Sequence, residues 1–223
     1  MATIKSYVRP QGLYRYRSLL HLDREMDAIE NGYLFCAAYK DLNDPMEGLF
    51  SSSQLLRESE DYRAIRSSIR ENKAQIGMCS FSEVPNHELM WAHYADRFGG
   101  ICIAYSLSRL LKNLAKDVTF ARMYYNEMVP TVRLTDDDPS TLAKMVLSYK
   151  NYRWLYEREW RMFAPLGKAH YRKTACVTRV YLGSRVSDNH RTRITETLRR
   201  LEIETREMTI DKYSISFEAS SSS

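Results

Sequence analysis

The sequence predicts an α+β fold, with one domain that contains mixed or antiparallel sheets and five or six helices. A chain of 223 residues is long enough to bury one substantial core. Segments with strand and helix periodicity follow each other irregularly, without the regular alternation or the glycine-rich loop of a dinucleotide-binding fold. We expect residues 1–217 to form this domain. Residues 218–223, EASSSS, are small and polar and predict a disordered tail.

The predicted strands are short runs of β-branched, aromatic and apolar residues, about seven to nine in number. They cover residues 13–18, 33–38, 76–83, 99–105, 118–125, 157–164, 174–183 and 203–217. The last of these is long enough to bend into two strands. In the strand IGMCSFSE at 76–83, successive side chains point to opposite faces of the sheet.

The predicted helices carry apolar residues at helical spacing. They cover residues 19–30, 55–69, 86–98, a short segment between 105 and 118, 139–149 and 188–201. Asn86 is a suitable cap for the third helix. The sequence DDDP at 136–139 suits a helix start, because proline fits the first turn and acids favour the positive end of the helix dipole. LNDPMEG at 42–48 predicts a turn.

The composition indicates a cytoplasmic protein with an anionic partner. A net charge of +5 and a pI near 8.9 favour a nucleotide, a nucleic acid or an acidic protein. The four cysteines are far apart, in apolar surroundings and without metal-site spacing, which is typical of buried thiols in a reducing compartment. The sequence shows neither the apolar core of a signal peptide nor the roughly 18 apolar residues of a membrane span.

Two glutamates stand among aromatic residues in the sequence WLYEREWRMF at 154–163. On a strand, Glu157 and Glu159 would point to the same side, and Arg161 would share that face and could pair with either. One interpretation is a surface strand with ordinary ion pairs. The apolar neighbourhood favours the other, in which the carboxylates are at least half-buried and have a task or a partner.

Further polar candidates lie on earlier elements. Ser80 and Ser82 share one strand face and could either line a site or cap the next helix. Arg15 and Arg17 share a strand face and could hold a phosphate with forked hydrogen bonds, or simply face solvent. His93 lies beside the apolar stripe of its helix and is a candidate for a binding site or a core-edge residue. The five histidines show no HxxxH or HExxH spacing, so we expect no metal.

Several of these motifs, in this order and spacing, resemble an uncharacterised prokaryotic family, domain of unknown function twenty-nine seventy-one. The motifs are LYRYRS, LNDPMEG, CSFSE, LMWAHYAD followed by GGICIAY, and YEREWRMF, which together span residues 13–163. This family has no assigned activity.

The order arginine, Ser-x-Ser and Glu-x-Glu also resembles the signature of ADP-ribosyltransferases. That resemblance implies a split-sheet α+β fold that holds NAD in a cleft. It implies that Arg15 or Arg17 holds the NAD phosphates and that Ser80 and Ser82 support the nicotinamide ribose pocket. The residues that it implies for stacking on nicotinamide are Tyr16, Trp91 or Tyr94. His93 has no counterpart in the signature but is a further candidate for the cofactor site.

The same resemblance implies that Glu159 bonds the nicotinamide ribose and that Glu157 orients or deprotonates the acceptor. The expected function is thus an ADP-ribosyltransferase, of the kind found as toxins or phage-defence effectors, which uses NAD to modify a protein or a nucleic acid. Asn43, Asp44 and Glu47 have no counterpart in the signature and form another candidate site.

Two alternatives remain open. One is a non-catalytic binding or regulatory domain, in which EREWR and NDPMEG supply ion pairs and a turn. The other is a metal-dependent nuclease that binds Mg²⁺ through the acids Asp44, Glu47, Glu157 and Glu159.

Overall fold

A computed structural model describes residues 9–134 and 137–219. Seven α-helices occur in this part of the chain. Five of them each correspond to one predicted helix, and the other two, α2 and α3, replace the single helix predicted over 55–69. They are α1 (Leu22–Glu30), α2 (Gln54–Glu58), α3 (Tyr62–Gln75), α4 (Glu88–Tyr94), α5 (Leu107–Asn113), α6 (Pro139–Val146) and α7 (Asp188–Arg200).

The strands are more numerous than predicted because several are only two to four residues long. They are β1 (Gly12–Arg17), β2 (Tyr33–Ala38), β3 (Ser51–Ser52), β4 (Ile76–Ser82), β5 (Ile101–Ser106), β6 (Thr119–Arg122), β7 (Tyr124–Asn126), β8 (Thr131–Val132), β9 (Tyr149–Asn151), β10 (Glu159–Pro165), β11 (Gly167–His170), β12 (Val177–Leu182), β13 (Glu204–Asp211) and β14 (Ser214–Ala219). The described residues also form three 3-10 helices, which cover Tyr39–Asp41, Tyr152–Glu157 and Thr174–Cys176.

The chain divides into two compact units built from interleaved segments. The terminal unit contains the described residues up to Met26, Glu83–Asn113 and the described residues from Lys173 onward. The central unit contains Asp27–Ser82 and the described residues of Leu114–Arg172. Both units mix strands and helices irregularly, and antiparallel pairs outnumber parallel ones, which confirms the predicted α+β class.

The terminal unit is a five-stranded sheet in the order β1-β5-β12-β13-β14. The pairs β1–β5, β5–β12 and β13–β14 are antiparallel, whereas β12 and β13 are parallel. Parallel neighbours need a crossover connection, and α7 supplies it. Ile194 and Leu198 of α7 are buried, as are Ile101 and Val180 in the sheet, so the apolar stripe of this helix forms part of the core.

The main sheet of the central unit follows the order β11-β2-β4-β10-β6, and all of these pairs are antiparallel. Two small parallel ladders, β3–β8 and β7–β9, complete the unit. Residues from α2, α3, β8 and α6 form one apolar cluster, whose buried members are Leu56, Ile69, Val132, Leu142 and Val146. A second cluster joins β4 and β10 to α6 through Met78, Phe163 and Ala143.

Three local expectations differ from the structure. The single helix predicted over 55–69 is broken into α2 and α3, because Ser59 is extended and its hydroxyl donates to the carbonyl of Leu56. His87, and not Asn86, precedes the first turn of α4. Glu218 and Ala219, which were expected to belong to the tail, pair with β13 as the end of β14. Residues 220–223 lie outside the described part of the chain.

No helix in the described part of the chain is both long and apolar enough to cross a membrane.

Candidate functional site

A buried network of charged side chains surrounds Lys150 in the central unit. The Lys150 ammonium lies 2.5 Å from Glu157 Oε2, 3.2 Å from Glu159 Oε2 and 3.3 Å from Glu47 Oε1. All four residues are buried. The lysine Nζ also lies 4.9 Å from the centre of the Trp154 ring, a cation–π contact. One lysine thus joins three carboxylates that come from two distant parts of the sequence.

Arg161 adds a second cation to this network. Its Nε and Nη2 donate to Glu159 Oε1 at 3.0 and 2.7 Å, and Nη2 also lies 2.7 Å from Glu47 Oε2. Its Nη1 donates to the carbonyl oxygen of Leu147 at 2.7 Å. The arginine is 1% exposed. Because a guanidinium offers its donors in a fixed fork, it holds the two carboxylates in one geometry.

The backbone between the two predicted acids differs from a continuous strand. Glu157 ends the 3-10 helix Tyr152–Glu157, and β10 begins only at Glu159. Arg158, between them, is left-handed, with φ 45°. The expectation that both acids share a strand face is therefore wrong. The left-handed turn nevertheless lets both carboxylates reach Lys150, and it leaves Arg158 exposed. Left-handed φ at a residue other than glycine is a strained feature that concentrates at functional sites.

The two serines of Ser-x-Ser lie next to the acids. In the antiparallel ladder, Ser82 is opposite Glu159 and Ser80 is opposite Arg161. The Ser82 hydroxyl donates to the backbone carbonyl of Glu157 at 2.7 Å. A hydrogen bond from the Ser80 side chain helps to lower the pKa of the Glu159 carboxyl. The predicted proximity of Ser-x-Ser and Glu-x-Glu is thus present within one unit.

The electrostatics of the network favour the charged forms of Glu159, Lys150 and Arg161. Burial raises the pKa of the Glu159 carboxyl, but the nearby charges of Arg161 and Lys150 outweigh it and lower that pKa to about 2. Burial lowers the pKa of Lys150, and the three surrounding glutamates reverse this and raise it. Counted at formal charge, three carboxylates face two cations. These five side chains therefore carry one excess negative charge.

The Asn-Asp-Pro turn positions the third carboxylate of the network. The buried Asp44 accepts a hydrogen bond from the backbone N–H of Met46 at 2.9 Å, which makes it a turn-forming residue. Asn43 is exposed. Glu47 contacts both cations of the network. The buried Lys73 donates to the carbonyl oxygen of the next residue, Gly48, at 2.5 Å. Of the three turn residues proposed as a separate site, only Glu47 joins the predicted acids.

The nuclease alternative required these acids to hold a metal ion. Lys150 and Arg161 lie against three of the four carboxylates and already compensate most of their charge. Among residues 9–134 and 137–219, no group of three or more His, Cys, Asp or Glu side chains has the arrangement needed to hold a metal ion.

The remaining predicted residues belong to the terminal unit. Arg17 forms a forked ion pair with the buried Glu25, at 2.8 and 2.6 Å. Burial opposes ionisation of Glu25, but the hydrogen bonds and charge of Arg17, with a smaller contribution from Arg15, lower its pKa. Arg17, one of the two arginines predicted to bind phosphate, is thus paired with an acid of its own unit.

The aromatic candidates of the terminal unit pack against one another. Tyr16 donates from its hydroxyl to the carbonyl of Val84 at 2.7 Å and meets Trp91 edge to face, with ring centres 5.3 Å apart. Trp91 is fully buried and donates from Nε1 to the carbonyl of Pro85. His93 and Tyr94 pack edge to face at 6.3 Å. Tyr16 and Trp91 therefore act as core residues of this unit.

Sequence reasoning missed three residues of the central unit. Lys150 is one charge in YKNY, with no local signal that it joins Glu157 and Glu159, which follow it by seven and nine residues, or the distant Glu47. Tyr125 accepts a hydrogen bond at 2.7 Å from the backbone N–H of Glu159 and so fixes the start of β10. Lys73 sits in a stripe of basic residues that resembles an ordinary solvated helix face, although it is buried. For Lys73, the hint in the sequence was that no acid stands three or four residues away on the helix to pair with it.

The fold and the site together define an α+β protein with a buried acid–cation network beside a Ser-x-Ser strand. A family model described as Protein of unknown function (DUF2971) matches residues 90–162 of the chain. This match confirms the predicted resemblance to that family over the matched stretch, which includes Lys150, Glu157, Glu159 and Arg161. No curated protein and no solved structure matches the chain. The resemblance to ADP-ribosyltransferases stays a prediction.

Proposed function

We propose that the chain is an NAD-dependent ADP-ribosyltransferase whose reacting centre contains Glu159. The observation that carries this proposal is a buried Glu159 that is bound by Lys150 and Arg161 and held beside Ser80 and Ser82. Departure of nicotinamide from NAD leaves an oxocarbenium-like, positively charged ribose. A fixed carboxylate in a water-poor site stabilises such a centre far better than it would in water.

In this proposal the two glutamates have separate tasks. Glu159 contacts the nicotinamide ribose and stabilises its developing positive charge. Glu157 accepts the proton of the acceptor nucleophile as the new bond to the ribose forms, and nicotinamide leaves with the electrons of the broken glycosidic bond. Lys150 and Arg161 each keep Glu47 as a partner when Glu159 turns to the substrate. The network can therefore release one carboxylate without leaving a buried cation unpaired.

The cellular role that accompanies this activity would be that of a toxin or phage-defence effector acting on a protein or nucleic acid in the cytoplasm. This role rests on the resemblance alone.

The test measures nicotinamide release from NAD by the purified chain. Wild-type protein is compared with Glu159→Gln and with Glu204→Gln, a control that removes an ion-paired glutamate of the terminal unit. We expect release by wild type and the control, and a loss of at least about 100-fold in Glu159→Gln, as for removal of one transition-state partner. Full activity of Glu159→Gln, with an unchanged circular dichroism spectrum, would overturn the role given to Glu159.

A non-catalytic binding or regulatory domain is the second candidate, and one observation favours it. Glu157 and Glu159 are each only 3% exposed and are already paired with protein cations. Such acids need no substrate to explain their burial. NAD separates the two candidates, because a ligand that binds the folded state raises the melting temperature by mass action. If millimolar NAD leaves the melting temperature unchanged and no nicotinamide is released, the non-catalytic function stands.

A further inference from the structure

Aromatic and arginine side chains cluster on three adjoining elements of the central unit. These elements are β7 (Tyr124–Asn126), β9 (Tyr149–Asn151) and the 3-10 helix Tyr152–Glu157. β7 and β9 form a parallel pair, and the 3-10 helix packs against both. The tyrosine–arginine surface, as we call it, consists of Tyr124, Tyr149, Tyr152, Arg153, Trp154 and Arg158. Its 3-10 helix ends at Glu157, a member of the buried network.

Two of the four rings of this surface are exposed to solvent. Tyr124 is 57% exposed and Tyr152 is 46% exposed, although both lie on regular elements. The Tyr124 and Tyr149 ring centres are 4.8 Å apart, so one exposed ring is braced by another. Trp154 is half-buried over Lys150. A braced, exposed ring offers a flat face on which another ring can stack without much loss of side-chain freedom.

Two arginines alternate with these rings along the chain. Arg153 and Arg158 are exposed, and within the described part of the chain neither side chain forms an ion pair. The acid between them in sequence, Glu157, is buried and bound to Lys150. Their charge therefore faces outward uncompensated. Guanidinium groups of this kind bind phosphate through forked, charge-assisted hydrogen bonds.

We propose that the tyrosine–arginine surface binds a single-stranded nucleic acid, which is the acceptor of the transferase reaction proposed above. Proteins that hold single strands combine basic groups for the backbone with aromatic rings on which bases stack, and this surface presents both. The net charge of +5 has the sign required for an anionic partner. The 3-10 helix of this surface ends at Glu157, the group assigned to deprotonate the acceptor, and Trp154 of the surface lies over Lys150, which binds Glu157. This inference rests on the proposed function and names its substrate class.

The experiment measures binding of a fluorescein-labelled single-stranded oligonucleotide, as DNA and as RNA, by fluorescence anisotropy without NAD. A length of about 20 nucleotides exceeds the site size of a typical single-strand binding domain. The site variants are Arg153→Glu with Arg158→Glu, and Tyr124→Ala with Tyr152→Ala. The matched control is Arg63→Glu with Arg70→Glu, which reverses two exposed arginines on α3 of the same unit.

We expect wild type and the α3 control to bind alike and each site variant to bind at least about tenfold more weakly. The wild-type affinity should fall steeply as salt rises from 50 to 200 mM, by roughly a factor of ten or more for a few phosphate contacts, and less steeply in the arginine variant. Melting temperatures identify any variant that has not folded; a variant that fails this check is replaced by Arg153→Gln with Arg158→Gln.

Two results would overturn the inference. One is the absence of binding to any single-stranded probe, in which case the surface serves a protein partner or none. The other is equal weakening by the site variants and the α3 control. Because the binding assay contains no NAD, its result is independent of the nicotinamide-release assay described above. Binding in the first assay without release in the second would refute the transferase and leave the nucleic-acid surface standing. Nicotinamide release without binding would do the reverse.

Discussion

The stability of the protein in acid should depend on Glu159. Its carboxyl has a pKa of about 2 in the fold, against 4.5 for the unperturbed group, because Arg161 and Lys150 outweigh the effect of burial. A difference of about 2.5 in pKa corresponds to about 3 kcal/mol of folding free energy. The folded-state pKa lies below the unfolded value, so this contribution is fully present above pH ~4.5 and is lost as the pH falls towards ~2.

The substitution Glu159→Gln removes this titration. At pH 7 we expect the variant to lose about 3 kcal/mol, because Arg161 then keeps only Glu47 and the buried network is broken at one member. Between pH 5 and pH 2, the unfolding free energy of wild type should fall by about 3 kcal/mol more than that of the variant. Urea denaturation followed by circular dichroism at several pH values measures both quantities.

The matched control for this prediction is Glu204→Gln. Glu204 pairs with Arg179 and Arg206 but is much more exposed than Glu159, so its loss should change the acid dependence far less. The reasoning fails if wild type and Glu159→Gln lose stability in parallel from pH 5 to pH 2. In that case the cations of the network do not hold Glu159 ionised in the folded protein.

Three further predictions concern neighbouring residues. Lys150→Met leaves three buried carboxylates to Arg161 alone, so it should lower the unfolding free energy at pH 7 by about 3–5 kcal/mol, which a urea titration checks. Burial and then Arg70 lower the pKa of Lys73 below its unfolded value. Wild type should therefore gain stability relative to Lys73→Met as the pH rises from 7 towards 10, in thermal melts of both proteins. Arg158→Gly should raise the unfolding free energy by about 1 kcal/mol, whereas Arg158→Val should lower it by at least as much, because only glycine adopts the left-handed φ without strain.

The elements that the sequence predicted well are those whose periodicity is set by a single buried face. β1, β2, β4 and α7 lie within a few residues of their predicted positions, since each has an apolar pattern that only one register buries. The break between α2 and α3 was missed because it depends on Ser59, whose hydroxyl competes for a backbone carbonyl without interrupting the apolar pattern.

The candidate site was predictable only in part, because its energetics depend on contacts between distant segments. Glu157, Glu159 and Arg161 stand close together in sequence and were predicted to interact. Lys150 and Glu47 join them only through the tertiary fold, and no local pattern reports such a contact. The alternation of EREWR predicted a strand, and the left-handed backbone at Arg158 is invisible in that alternation.

The numbers of acids and cations in the network bear on whether its role is purely structural or functional. Buried ion pairs contribute little net stability compared with apolar side chains of similar volume, because desolvation offsets their attraction. A purely structural cluster therefore gains nothing from an unequal number of acids and bases. In this network three carboxylates share two cations. In the reaction proposed above, the positive charge that develops on the ribose centre as nicotinamide leaves would bring these formal charges into balance.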